Sequence, residues 1–122
     1  VSLALVLVLA GCQTVQERFD QQRAPTRSEK ASIIEGARII LRDPYSIRDA
    51  EISNYVPADA KSGHICVRAN AKNAMGGYTG KKGWLIAIVN NRAVNGYEGH
   101  PMCNLAQMRY RPFPEIYRLR EL

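Results

Sequence analysis

The stretch His64-Ile65-Cys66-Val67-Arg68-Ala69-Asn70 and the later stretch Trp84-Leu85-Ile86-Ala87-Ile88-Val89-Asn90-Asn91 decide the fold. In the first, Ile65, Val67 and Ala69 alternate with His64, Cys66, Arg68 and Asn70, the period of two that marks a strand. The second is apolar at every position through Val89, as a central strand covered on both faces requires. Asn90-Asn91 suits a two-residue hairpin turn because asparagine tolerates positive φ, so Ala93 to Tyr97 reads as the return strand. Upstream, Ala50, Ile52 and Val56 alternate loosely across a first strand closed by Pro57.

Ahead of these strands, Thr26-Arg27-Ser28-Glu29 matches a capping box. Ile33, Ile34, Ala37, Ile40 and Leu41 then fall on one helical face. Asp43-Pro44 ends the helix, because the residue before proline avoids the α region. Gly36 costs this helix about 1 kcal/mol relative to alanine, so packing must hold it. Trp84, Ile86 and Ile88 are expected to pack against Ile33, Ile40 and Leu41. Pro101 to Met108 reads as a short helix with proline at its first position. Arg111 to Leu122, with Pro112 and Pro114, is too short to assign. The fold expected is α+β: an N-terminal amphipathic helix packed on a three- to four-stranded antiparallel sheet, with a short C-terminal helix.

At 122 residues the chain is one domain's worth, which excludes a multidomain enzyme. No 20–50-residue period recurs, so solenoids and propellers are excluded. A hydrophobic share of 46% excludes wholesale disorder. Val1 to Gly11 carries no charge and only Ser2 as a polar side chain, and polar sequence starts abruptly at Gln13. Such a run is a signal-peptide core. It is too short for a hydrocarbon layer that takes about 20 residues. The chain is expected to begin inside its signal peptide, downstream of the start Met and basic region.

Leu9-Ala10-Gly11-Cys12 resembles the lipobox of bacterial lipoproteins. The resemblance implies cleavage between Gly11 and Cys12, a lipid thioether on the Cys12 sulfur and an acyl chain on its amine. Ordinary secretory cleavage and a truncated transmembrane anchor are the competing readings; the first fits Leu9 badly. Gln13, in place of Asp, implies the outer membrane, facing the periplasm. The organisation expected is a signal peptide over 1–11, a flexible tether from lipidated Cys12 over 12–27, and one α+β domain over 28–122. Val15 and Phe19 are the large apolar residues of that polar tether.

Asp43-Pro44-Tyr45-Ser46 and Asn70-Ala71-Lys72-Asn73-Ala74-Met75-Gly76-Gly77-Tyr78-Thr79-Gly80 carry a second resemblance. Together they are similar to a family of small proteobacterial lipoproteins with DPxS and NAKNxxGGYxG motifs, over roughly residues 30 to 90. The resemblance implies an envelope address and adds no mechanism.

Few constellations point to chemistry. Gly76, Gly77, Tyr78 and Gly80, with Asn70 and Asn73, form a candidate binding loop. It is no Walker A loop: Met75 stands at the required first glycine, Lys82 replaces the hydroxyl, and a strand follows. His64, Cys66, His100 and Cys103 supply two imidazoles and two thiols, a possible tetrahedral zinc set without a recognised finger spacing. With Cys12 lipidated, Cys66 and Cys103 remain as a candidate disulfide or as free thiols. Oxidising conditions favour the bond, which would close a 38-residue loop worth roughly 3–4 kcal/mol. Asp49 and Glu51, two apart on a strand, read as a solvated face before a catalytic pair. No cofactor motif is present, and the protein is read as no enzyme.

The net charge of +6 gathers at Lys81-Lys82 and at Arg109, Arg111, Arg118 and Arg120, interleaved with Tyr110, Phe113 and Tyr117. Behind a signal peptide this suits anionic envelope polymers and not nucleic acid. The function expected is a membrane-tethered interaction domain that contacts another envelope protein or an anionic envelope polymer. The alternative is a small-ligand or metal-binding periplasmic domain built on His64, Cys66, His100 and Cys103.

Overall fold

Residues 14–41 and 43–121 are described by a computed structural model. In chain order they form α1 (Val15–Asp20), α2 (Arg27–Ile40), β1 (Arg48–Ser53), β2 (Val56–Pro57), β3 (Ser62–Asn70), β4 (Lys82–Val89), β5 (Arg92–Glu98) and β6 (Tyr110–Pro112). Single 3₁₀ segments lie at Pro44–Ser46, Pro101–Asn104 and Pro114–Glu121. The lipobox, its cleavage site between Gly11 and Cys12, and the proposed signal peptide lie outside the described residues.

The hairpin forms where the sequence places it. Asn90 and Asn91 adopt φ of 50° and 65°, the left-handed pair that matches the twist of the flanking strands. β3 pairs with β4 so that Ile65 meets Ile86 and Cys66 meets Leu85. Among the described residues one antiparallel sheet runs β5-β4-β3-β1-β6, with β2 also on β3. The fold is α+β, and the expected three to four strands are corrected to six. One addition is β2, which the single loosely alternating strand had absorbed. The other is β6, three residues ending in Pro112, tolerated because an edge strand need not donate every N–H.

The sheet buries both faces, as the strand alternation dictates. On one, Ile65, Val67, Ala69 and Ile88 pack with Ile33 and Ile34 of α2 and with Phe113, Ile116 and Leu119 from the C-terminal segment. On the other, Cys66 and Leu85 pack with Phe19, Val56, Cys103 and Met108. The segment expected as a helix over 101–108 keeps one 3₁₀ turn with Pro101 at its start; His100 Nδ1 accepts from the Met102 N–H at 3.1 Å.

The expected flexible tether is corrected over its described part. Thr14 and Glu17 form a reciprocal capping box, at 3.1 and 3.3 Å, that starts α1. Phe19, 2% exposed, inserts into the second core. Arg23 and Tyr55 then exchange backbone hydrogen bonds at 3.0 and 2.7 Å, with the Arg23 guanidinium 4.0 Å from the Tyr55 ring centre. The capping box, the buried Phe19 and the Arg23–Tyr55 contacts together order a segment whose composition reads as solvated.

The expected capping box of α2 is present. Glu29 is fully buried, holds both terminal nitrogens of Arg23 at 2.9 Å and accepts the Thr26 N–H at 2.8 Å. Burial pushes its carboxyl pKa up, but the Arg23 and Thr26 bonds together outweigh burial and hold it below the usual carboxylate range. Because the folded pKa is the lower one, this stabilisation is present above the ordinary carboxylate range. It is lost as pH falls through the folded value. Glu29→Gln is expected to cost about 1–3 kcal/mol near neutral pH, the cost of a broken buried charged hydrogen bond. Urea denaturation at several pH values checks this: the gap between variant and wild type should narrow on acidification.

Candidate functional site

The C-terminal half of α2 does not close onto the sheet. Gly36 and Ala37 on the helix face Ala93 and Gly96 on β5, and side chains this small leave an apolar slot of about 280 Å³. Trp84 and Ile86 of β4 contribute to its lining. This corrects the expected core. Ile33 and Ile88 are buried as expected, but Trp84, Ile86 and Leu41 are only partly so. Ile40 stands on the rim at 59% exposure, beside Ile39 at 82% and Val94 at 60%. A second hollow of about 270 Å³ shares Ile40, Leu41 and Trp84 with the first and brings in Lys72, Asn73, Thr79, Lys82 and Glu98. The two hollows thus adjoin at the three shared residues, and the second forms a polar mouth beside the glycine-rich loop.

Comparison with protein-family models, curated proteins and solved structures finds no match.

The two motif segments meet at this mouth. The Ser46 hydroxyl donates to the Asp43 carbonyl at 2.7 Å and accepts the Lys72 N–H at 2.8 Å. The Tyr78 hydroxyl donates to the Ser46 carbonyl at 2.8 Å, with the Arg48 guanidinium 3.5 Å from its ring centre. Asn73 Oδ1 accepts from the Met75 and Gly77 N–H groups at 3.0 and 3.1 Å. Gly76 and Gly80 take φ of 79° and 97°, which glycine adopts without strain. Of the candidate loop residues, Asn73 and Tyr78 thus spend polar atoms on holding the loop. Asn70 is buried, and its Oδ1 has no hydrogen-bond partner among the described residues. The loop is a braced wall, and Lys72, Asn73 and Thr79 are its polar contributions to the mouth.

Cys66 and Cys103 form a disulfide with Cα atoms 5.6 Å apart, so the bond expected from the oxidising address is present. Two of the four candidate zinc ligands are thereby joined to each other. Neither sulfur is a thiolate. Among the described residues no group of three or more His, Cys, Asp or Glu side chains converges as a metal site. His64 is half-buried on the same face of β3. Burial lowers its pKa, and the neighbouring His100 and Arg18 lower it further.

The remaining candidates serve the fold. Glu51 is ion-paired with Lys81 and, at 2.7 Å, with Arg68; the Lys81 bond foremost holds its carboxyl below the usual range. Asp49 sits apart from it, exposed, at φ 54° in an irregularity of β1. The basic and aromatic C-terminal stretch is a clasp. Arg111 binds the Asn54 side chain, Arg120 Nε donates to the Ile47 carbonyl at 3.0 Å, and Tyr110 donates to the Cys103 carbonyl at 2.6 Å. Phe113 is buried in the core.

Sequence reasoning missed the slot. Its signal was present in the small residues Gly36-Ala37 and Ala93, Gly96, which stand beside large apolar residues such as Ile33, Ile40 and Val94.

Proposed function

We propose that the protein is a non-enzymatic lipoprotein of the bacterial envelope, anchored through Cys12, whose domain binds an envelope component in the slot between α2 and β5. The observation that carries the binding reading is the slot itself. It is apolar, open to solvent, and rimmed by exposed Ile39, Ile40 and Val94. Unpaired apolar surface of this kind marks binding sites on soluble domains. The anchor reading rests on Leu9-Ala10-Gly11-Cys12 and on the motif resemblance to small proteobacterial lipoproteins. Acyl chains at about 0.8 kcal/mol per buried CH₂ hold such a domain at a membrane. Among the described residues no helix is long and apolar enough to cross one. Gln13 favours the outer membrane and a periplasmic orientation.

The anchor is tested in cells that express the protein with its signal peptide and are grown with labelled palmitate. The protein should take up label and fractionate with membranes, and Cys12→Ala should abolish both. Label retained in the variant, or wild-type protein found in the soluble fraction, contradicts the anchor.

A further inference from the structure

We propose that the slot between α2 and β5 takes a single-chain anionic amphiphile, a free fatty carboxylate, with its tail along α2 and its head at Lys72. The inference rests on the binding reading above and names the ligand class for that site.

The first support is Gly36. It lies inside a helix, where glycine is disfavoured, and a Cβ built there meets nothing within 4 Å. Neither backbone conformation nor close packing calls for glycine. Gly36 lines the slot, so a long side chain there would meet its open space.

The second support is the distribution of polarity. Between α2 and β5 the lining is mostly aliphatic, with Trp84 and one polar side chain, Asn95, while the adjoining second hollow carries Lys72, Lys82, Glu98, Asn73 and Thr79. Lys82 is paired with Glu98 at 3.3 Å. Lys72 has no ion pair among the described residues; its Nζ stands 5.7 Å from the Tyr78 ring centre. One end of the site thus offers a cation and the rest offers carbon. A fatty carboxylate has that polarity. An extended peptide would bury unsatisfied amides against the apolar walls, at a desolvation cost that an alkyl chain avoids. At roughly 30 Å³ per water-sized group, a slot of this volume holds on the order of ten methylenes, which makes dodecanoate a suitable probe.

Trp84 is the chain's single tryptophan and lines both hollows, so its emission reports on the site directly. The experiment titrates the purified protein with chain-brominated dodecanoate, below its micelle concentration, and follows quenching of Trp84. Saturable one-to-one quenching is expected, competed by dodecanoate and not by dodecyltrimethylammonium. Lys72→Glu should weaken binding on the order of tenfold, the effect of reversing one partly exposed charge. Gly36→Leu fills the slot and should abolish quenching with an unchanged or raised melting temperature, because leucine is the better helix former. Gly36→Ala should keep most of the binding.

Several results overturn the proposal: no saturable quenching, equal affinity for the cationic amphiphile, or full binding by a correctly folded Gly36→Leu protein. If Gly36→Leu fails to fold, unchanged affinity in Lys72→Glu overturns it alone. A wild-type dimer by light scattering that Gly36→Leu dissociates, without amphiphile quenching, makes a second copy the occupant and overturns it also. Loss of this ligand leaves palmitate labelling at Cys12 untouched, so the anchor and the ligand fail separately.

Discussion

Phe113→Ala is expected to cost about 3–5 kcal/mol, the range for emptying a fully buried aromatic site. Phe113 has no exposed surface and heads the fully buried side chains by size. Its N–H donates to the Ala50 carbonyl at 2.9 Å, which continues the pairing of β6 with β1. Its ring packs in the α2-side core with Ile116 and Leu119, two residues of the following 3₁₀ segment. Removing the ring therefore unpins the C-terminal segment as well as opening a cavity. Urea denaturation of variant and wild type measures the difference. Val94→Ala, on the exposed rim, should stay within about 0.5 kcal/mol. A comparably small loss at Phe113 would mean that residues 110–121 do not belong to the core.

Breaking the Cys66–Cys103 disulfide should cost about 3–4 kcal/mol in the loop-entropy account. Both cysteines are buried, and the bond joins the inner strand β3 to the 3₁₀ turn at Pro101–Asn104. For a domain of this size the loss corresponds to a fall in Tm on the order of 10–20 °C. Thermal denaturation with and without reductant measures it, and mass spectrometry without reductant should find the protein two hydrogens lighter than the dithiol form. Two freely alkylated thiols in protein isolated from the envelope would contradict the bond. Zinc retained with those thiols would return the His64, Cys66, His100 and Cys103 set as a metal site.

The sheet was legible where side-chain period and turn chemistry agreed. Ile65, Val67 and Ala69 alternate cleanly and lead by way of β4 to Asn90-Asn91, so the β3-β4-β5 order follows from local signals alone. The start of α2 was equally readable from Thr26 and Glu29, which meet on the first turn. Thr14 and Glu17 repeat that signal at the start of α1. It was outweighed by the polar residues around it, since composition does not register a single Phe19 reaching a core made by Val56, Leu85 and Cys103. β6 was hidden for a related reason: three residues before Phe113 carry too little pattern, and Pro112 argued against a strand.

The candidate site was the least legible part, because a vacancy is a relation between elements. Periodicity places Ile40 on the apolar face of α2 but does not tell what lies across from it. Opposite the last turns of the helix stand Ala93 and Gly96, too small to meet Gly36 and Ala37. The glycine that weakens the helix lines that open space. The paired motifs were readable as signatures, but not their function. Only the fold brings Ser46 against Lys72 and Tyr78, so that each braces the wall beside the slot.

The central claim is that the working surface lies on the α2 side of the sheet, and methyl-resolved NMR of the oxidised protein titrated with dodecanoate tests it most directly. The account predicts that methyl signals of Ile33, Ile40, Ile86 and Val94 shift together along one saturating curve. Those of Val56 and Leu85, on the disulfide face, should hold still. Shifts gathered at Val56 and Leu85, or spread evenly over both faces, would contradict it.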